Sequence, residues 1–299
     1  MAWSSSRFAS AKRPRKSEHP LESSDLVDCH THVVSPDKEN YPLNPRDLSG
    51  KWYLEAPASG PNLAAAMDDA EVAQAILVQG VGAYTYDNRY AADAAAAAPA
   101  RFASACAIDV EASDAVATLE HWIQDRGMHG VRLFALSREG PSWLTDPSTF
   151  PIWQRAAELA AHVIVTILPH QLDELDQVLG HFSGIDVSLD HCGFALADAD
   201  HRERLFELAR HRNLHLKIST HNLDDAARID GHARALIRSL VAQFGADRLM
   251  WGSDFCQTHD RSYEALVALA RDAFSELDPS ERTACFSETP RRLWPHLAH

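Results

Sequence analysis

The stretch Leu26-Val27-Asp28-Cys29-His30-Thr31-His32 decides how the rest of the chain is read. A β-strand places every second side chain on the same face. Taken as a strand, the stretch puts Asp28, His30 and His32 on one face and Cys29 and Thr31 on the other. A polar row on an apolar strand is costly to bury unless it is paired or functional. Two imidazoles and a carboxylate at a strand end can bind a divalent metal, polarise a carbonyl or relay a proton.

Seven more short apolar segments follow, at 75–79, 102–108, 130–134, 162–168, 185–191, 214–219 and 248–254. Between and after the strands lie stretches of good helix formers with apolar spacing near 3.6, at 61–73, 88–99, 112–127, 149–161, 171–182, 199–212, 224–244 and 261–275. Strands separated by helices imply parallel βαβ units. Eight of them predict an α/β fold, a (β/α)8 TIM barrel formed as a single domain by residues 25–299. A doubly wound open sheet is the competing architecture, but no glycine-rich phosphate loop follows any strand.

A barrel collects its chemistry at the C-terminal ends of its strands. The first strand ends in His30 and His32, and the sixth in Asp190-His191-Cys192-Gly193. The eighth ends in Trp251-Gly252-Ser253-Asp254 and returns beside the first, which makes Asp254 the candidate general base. His30, His32, His191 and Asp254 are therefore expected to ring one pocket as catalytic residues. Gln79 ends the second strand and leads into a loop with Tyr86 and Asn88; Arg132 sits on the fourth strand between Val131 and Leu133. A guanidinium there needs a carboxylate or phosphate partner, in the protein or in a ligand. Lys217 lies on the strictly alternating seventh strand, and His259 in the loop after the eighth. Arg132, Gln79, Tyr86, Asn88, Lys217 and His259 are the candidate contacts for a small anionic substrate, with the aromatic, proline-rich loop 33–60 shaping the pocket.

Composition narrows the function classes. The 299 residues, 45% hydrophobic with seven tryptophans, can build a large core. A formal charge of −14 argues against a nucleic-acid surface, and no apolar run reaches the length of a membrane span. Five scattered cysteines without a CxxC pair suggest a reducing cytoplasm and no disulfides. Residues 1–24 differ from the rest: five basic residues lie between Arg7 and Lys16, among serine and alanine, with no apolar core of a secretory signal. A disordered N-terminal extension is expected there. A monomer and a homodimer suit the sequence equally.

The Asp28-x-His30-x-His32 opening, the Leu189-Asp190-His191-x-Gly193 run and Trp251-Gly252-Ser253-Asp254-Phe255 resemble the amidohydrolase-2 branch of the amidohydrolase superfamily. Tyr41-Pro42, the Ile-Leu-Val-Gln strand with its later Asp87-Asn88, and Gly130-Val-Arg-Leu-Phe134 resemble, within it, the 2-pyrone-4,6-dicarboxylate and sugar-acid lactonase group. The likeness runs from residue 26 to about 295 and includes a C-terminal helix at Thr289-Pro290-Arg291-Arg292-Leu293. It implies a hydrolase of lactones of sugar acids or ring-cleavage products, in which Asp254 activates water, the histidines polarise the lactone carbonyl and Arg132 holds a carboxylate. Two departures stand out: at the fifth strand His170 is displaced towards the loop, and Phe255-Cys256-Gln257 replaces an aromatic residue followed by proline. With no clear ligand on the fifth strand, a metal-free route is expected. The alternative is one zinc held by His30, His32 and Asp254, with His170 or His191. A zinc amidohydrolase, a non-oxidative decarboxylase and a catalytically silent binding barrel are the other readings.

Overall fold

The computed structural model describes residues 25–46, 48, 50–137, 142–229 and 233–298. The N-terminal extension expected at 1–24 thus lies outside the described residues. Eight parallel strands run in sequence order: β1 (Val27–Thr31), β2 (Gln74–Val78), β3 (Phe102–Ala107), β4 (Gly130–Phe134), β5 (His162–Thr166), β6 (Val187–Leu189), β7 (Leu214–Ser219) and β8 (Leu249–Gly252). Each pairs with the next, and the ring closes just past β8, where Asp254 N–H donates to the His30 carbonyl and His32 N–H to the Phe255 carbonyl. This is the (β/α)8 barrel read from the alternation of segments. Gly252 permits the closure, because a Cβ there would lie 2.6 Å from His30 Cβ.

The strands alternate as a barrel requires. Leu214, Leu216 and Ile218 of β7 join the core packed between sheet and helices, so His215, Lys217 and Ser219 face the interior. Val27, Cys29, Ile76, Val78, Ala103, Ala105, Ile164 and Met250 fill the lower barrel, plugged from below by Leu293, Trp294 and Leu297. The helix expected over 224–244 is two helices, Thr220–Ile229 and Ala233–Phe244. The expected stretch contains Gly231, a residue that weakens a helix interior.

β1 departs from simple alternation. Its pairing with β2 shifts register between Asp28 and Thr31. Cys29 belongs to the interior cluster with Val27. The Asp28 carboxylate instead accepts from the Ser253 and His30 backbone N–H groups and from the Tyr263 hydroxyl of helix Tyr263–Ala273. The expectation that Asp28 shares a face with His30 and His32 is corrected: the irregularity re-aims the histidines. Asp28 becomes a staple between β1 and the end of β8. Burial raises its pKa to about 6, against the opposing pull of those hydrogen bonds.

Candidate active site

Three strand ends deliver the four reactive groups. His30 and His32 leave β1, His191 follows β6, and Asp254 follows β8. His191 (φ 53°) and Asp254 (φ 61°) both adopt left-handed backbone conformations. β6 accordingly stops at Leu189 rather than running to His191, since a left-handed residue cannot continue a strand. The ring centroids of His30 lie 5.0 Å from those of His32 and 4.8 Å from those of His191. His32 Nε2 is 3.2 Å from Asp254 Oδ1, and His30 Nε2 is 3.7 Å from the same oxygen. The four expected catalytic residues come together.

Each imidazole is fixed through Nδ1. That of His30 lies 3.2 Å from Asp190 Oδ1, and that of His32 2.8 Å from the Val78 carbonyl. Both partners only accept, so both Nδ1 atoms carry the proton. The His191 Nδ1 contacts Ser219 Oγ at 2.9 Å, and the Ser219 hydroxyl in turn donates to Asn222 Oδ1. Asn222 is itself held by the Ser219 N–H and by donating to the His191 carbonyl. The Ser219 hydroxyl hydrogen is thereby committed, and His191 Nδ1 is the donor. When the rings are neutral, all three Nε2 atoms therefore present lone pairs. Burial lowers the pKa of His30 and of His191, keeping these two rings in that form. Burial alone would raise the Asp254 carboxyl, but the His32 contact and, when protonated, the neighbouring imidazoles hold it well below the usual range.

Beneath the histidines, Asp190 gathers donors from four strands. Its Oδ2 accepts from Arg132 Nε and the Thr166 hydroxyl, each at 2.8 Å. Its Oδ1 takes His30 and an ion pair with Lys217 Nζ at 3.2 Å, which lacks the alignment of a hydrogen bond. Burial pushes Asp190 up, yet the charges of Lys217 and Arg132 and the His30 hydrogen bond hold it well below the usual carboxylate range. Lys217 is thus a buried counter-charge in the floor.

A cavity of about 570 Å³ opens above, lined by His32, Arg132, Thr166, His191, Asp254 and Gln257 among others. Arg132 keeps its internal ion pair through Nε; among the described residues its two Nη groups have no partner. The remaining expected contacts are placed elsewhere. Gln79 donates to the Thr85 and Asp87 carbonyls, and Asn88 ties the Tyr86 carbonyl to both backbone groups of Ala107. Tyr86 stacks under Arg46, and His259 pairs with Glu55. None of these four lines the cavity, and His170 is exposed. Thr166, Asp190, Ser219 and Asn222 belong to the site without having been singled out. The sequence signal for the first three is their place at the ends of β5, β6 and β7; Asn222 follows in the helix Thr220–Ile229.

Residues 27–296 match the family model described as Amidohydrolase. The chain is similar to an L-fucono-1,5-lactonase of Burkholderia ambifaria, 27% identical over 180 residues, which is 56% of this chain and 60% of that one. The matched region thus spans less than two thirds of that relative. A crystal structure of a putative 2-pyrone-4,6-dicarboxylic acid hydrolase from Pseudomonas putida superposes with a TM-score of 0.73 at 23% identity, covering 91% of this chain and 98% of that one. An amidohydrolase of Burkholderia multivorans with bound zinc gives 0.73 at 21% identity, over 90% and 99%. Among the described residues, no helix is long and apolar enough to cross a membrane.

Proposed function

This chain belongs to the amidohydrolase family, and we propose that within it the protein opens a lactone of a small carboxylated substrate. The observation that carries the reading is the convergence of the Asp254 carboxylate and three imidazole Nε2 atoms beside the unpartnered Nη groups of Arg132. Ester opening needs a water made nucleophilic and a developing oxyanion stabilised. Asp254, held ionised, takes the proton from water. Arg132 holds the substrate carboxylate through Nη1 and Nη2, while Asp190 fixes its Nε. The lactonase relative supports the same reaction class.

The tautomers weigh on the choice between a metal-free and a metal-assisted site. With each Nδ1–H already committed, a neutral imidazole has no proton to offer a carbonyl oxygen. This counts against polarisation by the histidines alone. His30 Nε2 and Asp254 Oδ1 are buried without hydrogen-bond partners. Together with His191 they put three ligand atoms within 4.8 Å of one another. That set fits a divalent cation such as zinc, and Nδ1 bonds to a carboxylate, a carbonyl and a hydroxyl are the usual supports of ligating histidines. Held by His30, His191 and Asp254, with His32 alongside, the ion would supply Lewis acidity and an acidified bound water.

The test is elemental analysis of protein purified without chelator, followed by a lactone panel in a pH-stat with CO₂ monitored in parallel. The expected result is about one divalent ion per chain and base consumption without CO₂. CO₂ release without base-consuming hydrolysis would replace the reading with a decarboxylase. Full lactone opening by metal-free protein would return the whole task to Asp254 and the histidines.

A further inference from the structure

Resting on the reading of this cavity as a lactone-opening site, we propose that its substrate carries a single carboxylate on an apolar, aryl- or alkyl-bearing body. A polyhydroxylated sugar acid and a dicarboxylate are the classes it disfavours. The first ground is charge. Among the described residues lining the cavity, Arg132 is the only arginine or lysine, and one guanidinium matches one carboxylate through its paired Nη groups.

The second ground is the wall. Phe134, whose ring lies 4.9 Å from the Arg132 guanidinium carbon, rises from the end of β4 with Leu136 above it. Leu168 follows β5, and Phe194 stacks on His191 at 5.0 Å and 28°. These four side chains are half-buried and open to the cavity, so the anion site and the reacting cluster both sit beside apolar surface.

The third ground is that the lining's polar side chains outside Arg132 and the reacting cluster already have protein partners. The Thr166 hydroxyl donates to Asp190 and accepts from Arg132. Gln257 and Thr258 both donate to Asp254 Oδ2, and His221 pairs with Asp225. Hydroxyls on a sugar ring would lose water here against apolar carbon, and an unpaired buried polar group is costly. A hydrocarbon or aryl body gains by the same burial.

Calorimetric titration of the full chain with three unreactive carboxylates tests this independently of turnover. The probes are 3-phenylpropanoate, gluconate and isophthalate. The expected outcome is at least about tenfold tighter binding of 3-phenylpropanoate than of either other probe. Phe194→Ser and, separately, Leu168→Asn are each expected to erode that preference about fivefold, while gluconate binding stays unchanged. Equal or tighter binding of gluconate or isophthalate by the unaltered chain overturns the inference, as does no binding of 3-phenylpropanoate. Tight 3-phenylpropanoate binding by a chain that opens no lactone supports the inference and breaks only the hydrolase reading. Opening of a sugar lactone without 3-phenylpropanoate binding does the reverse.

Discussion

His32 and Asp254 meet through Nε2 and Oδ1 at 3.2 Å, while the other nitrogen of the same ring donates to the Val78 carbonyl at 2.8 Å. A neutral ring so bound would set a lone pair against a carboxylate oxygen. With Asp254 ionised, as its lowered pKa places it, the contact is favourable only with a second proton on His32 or a cation between the two groups. Asp254→Asn keeps the shape and removes the charge, and we expect lactone opening to fall by about 10²–10⁴-fold. Far-UV circular dichroism is expected to stay unchanged. Turnover near the unaltered level would remove Asp254 from the role of base.

Asn222 is expected to matter without facing the cavity. Its amide bridges the His191 carbonyl and Ser219, so it holds both the left-handed turn and the tautomer of His191. Supporting groups of this kind are worth about 10–100-fold in activity or metal affinity. Asn222→Ala should lower kcat by a factor in that range, with KM changing much less. A pure loss of thermal stability with kcat intact would make Asn222 a structural residue only.

Asp190 is the expected weak point for stability. The carboxylate answers a buried arginine, a buried lysine, His30 and Thr166 at once. Asp190→Asn leaves Arg132 and Lys217 without a buried counter-charge, and breaking such a pair costs about 3–5 kcal/mol. Urea unfolding should show the loss. Adding Lys217→Met to Asp190→Asn should recover part of it, because one orphaned charge is then gone. If the double variant is no more stable than the single, Lys217 is not a counter-charge to Asp190.

The barrel was legible because apolar segments and helical stretches alternate along the chain, and each strand-end polar residue carries its own local signal. His30, His32, His191 and Asp254 were readable in that way, as was the inward face of Lys217. Asp28 was misplaced, since the register shift in β1 depends on ring closure with Ser253 and on Tyr263, far away in sequence. Gln79 and Asn88 look like site residues because they too are polar residues beside strand ends. Their amides instead satisfy backbone groups of the loop after β2 and the end of β3. The role of Asp190 had no spacing signature, as its donors come from β1, β4, β5 and β7.

At the opposite end of the barrel, His129 should make the fold sensitive to mild acid. Its Nδ1 accepts the Ser104 backbone N–H at 3.2 Å, and its ring packs 4.1 Å from that of His296. Burial, with the nearby His296, lowers its pKa from 6.5 to about 4. Protonation would make this nitrogen a donor facing the Ser104 N–H, which is also a donor. The unfolded chain binds this proton below its ordinary pKa and the folded chain does not, so the stabilising contribution is present above pH 6.5 and is lost between 6.5 and 4. His215, also lowered to about 4 chiefly by burial, adds in the same direction. We expect Tm to fall as pH drops from 7 to 5. In His129→Asn, whose Oδ1 can accept the same N–H without titrating, the fall should be shallower. Identical slopes in the two proteins would show that His129 carries none of the acid sensitivity.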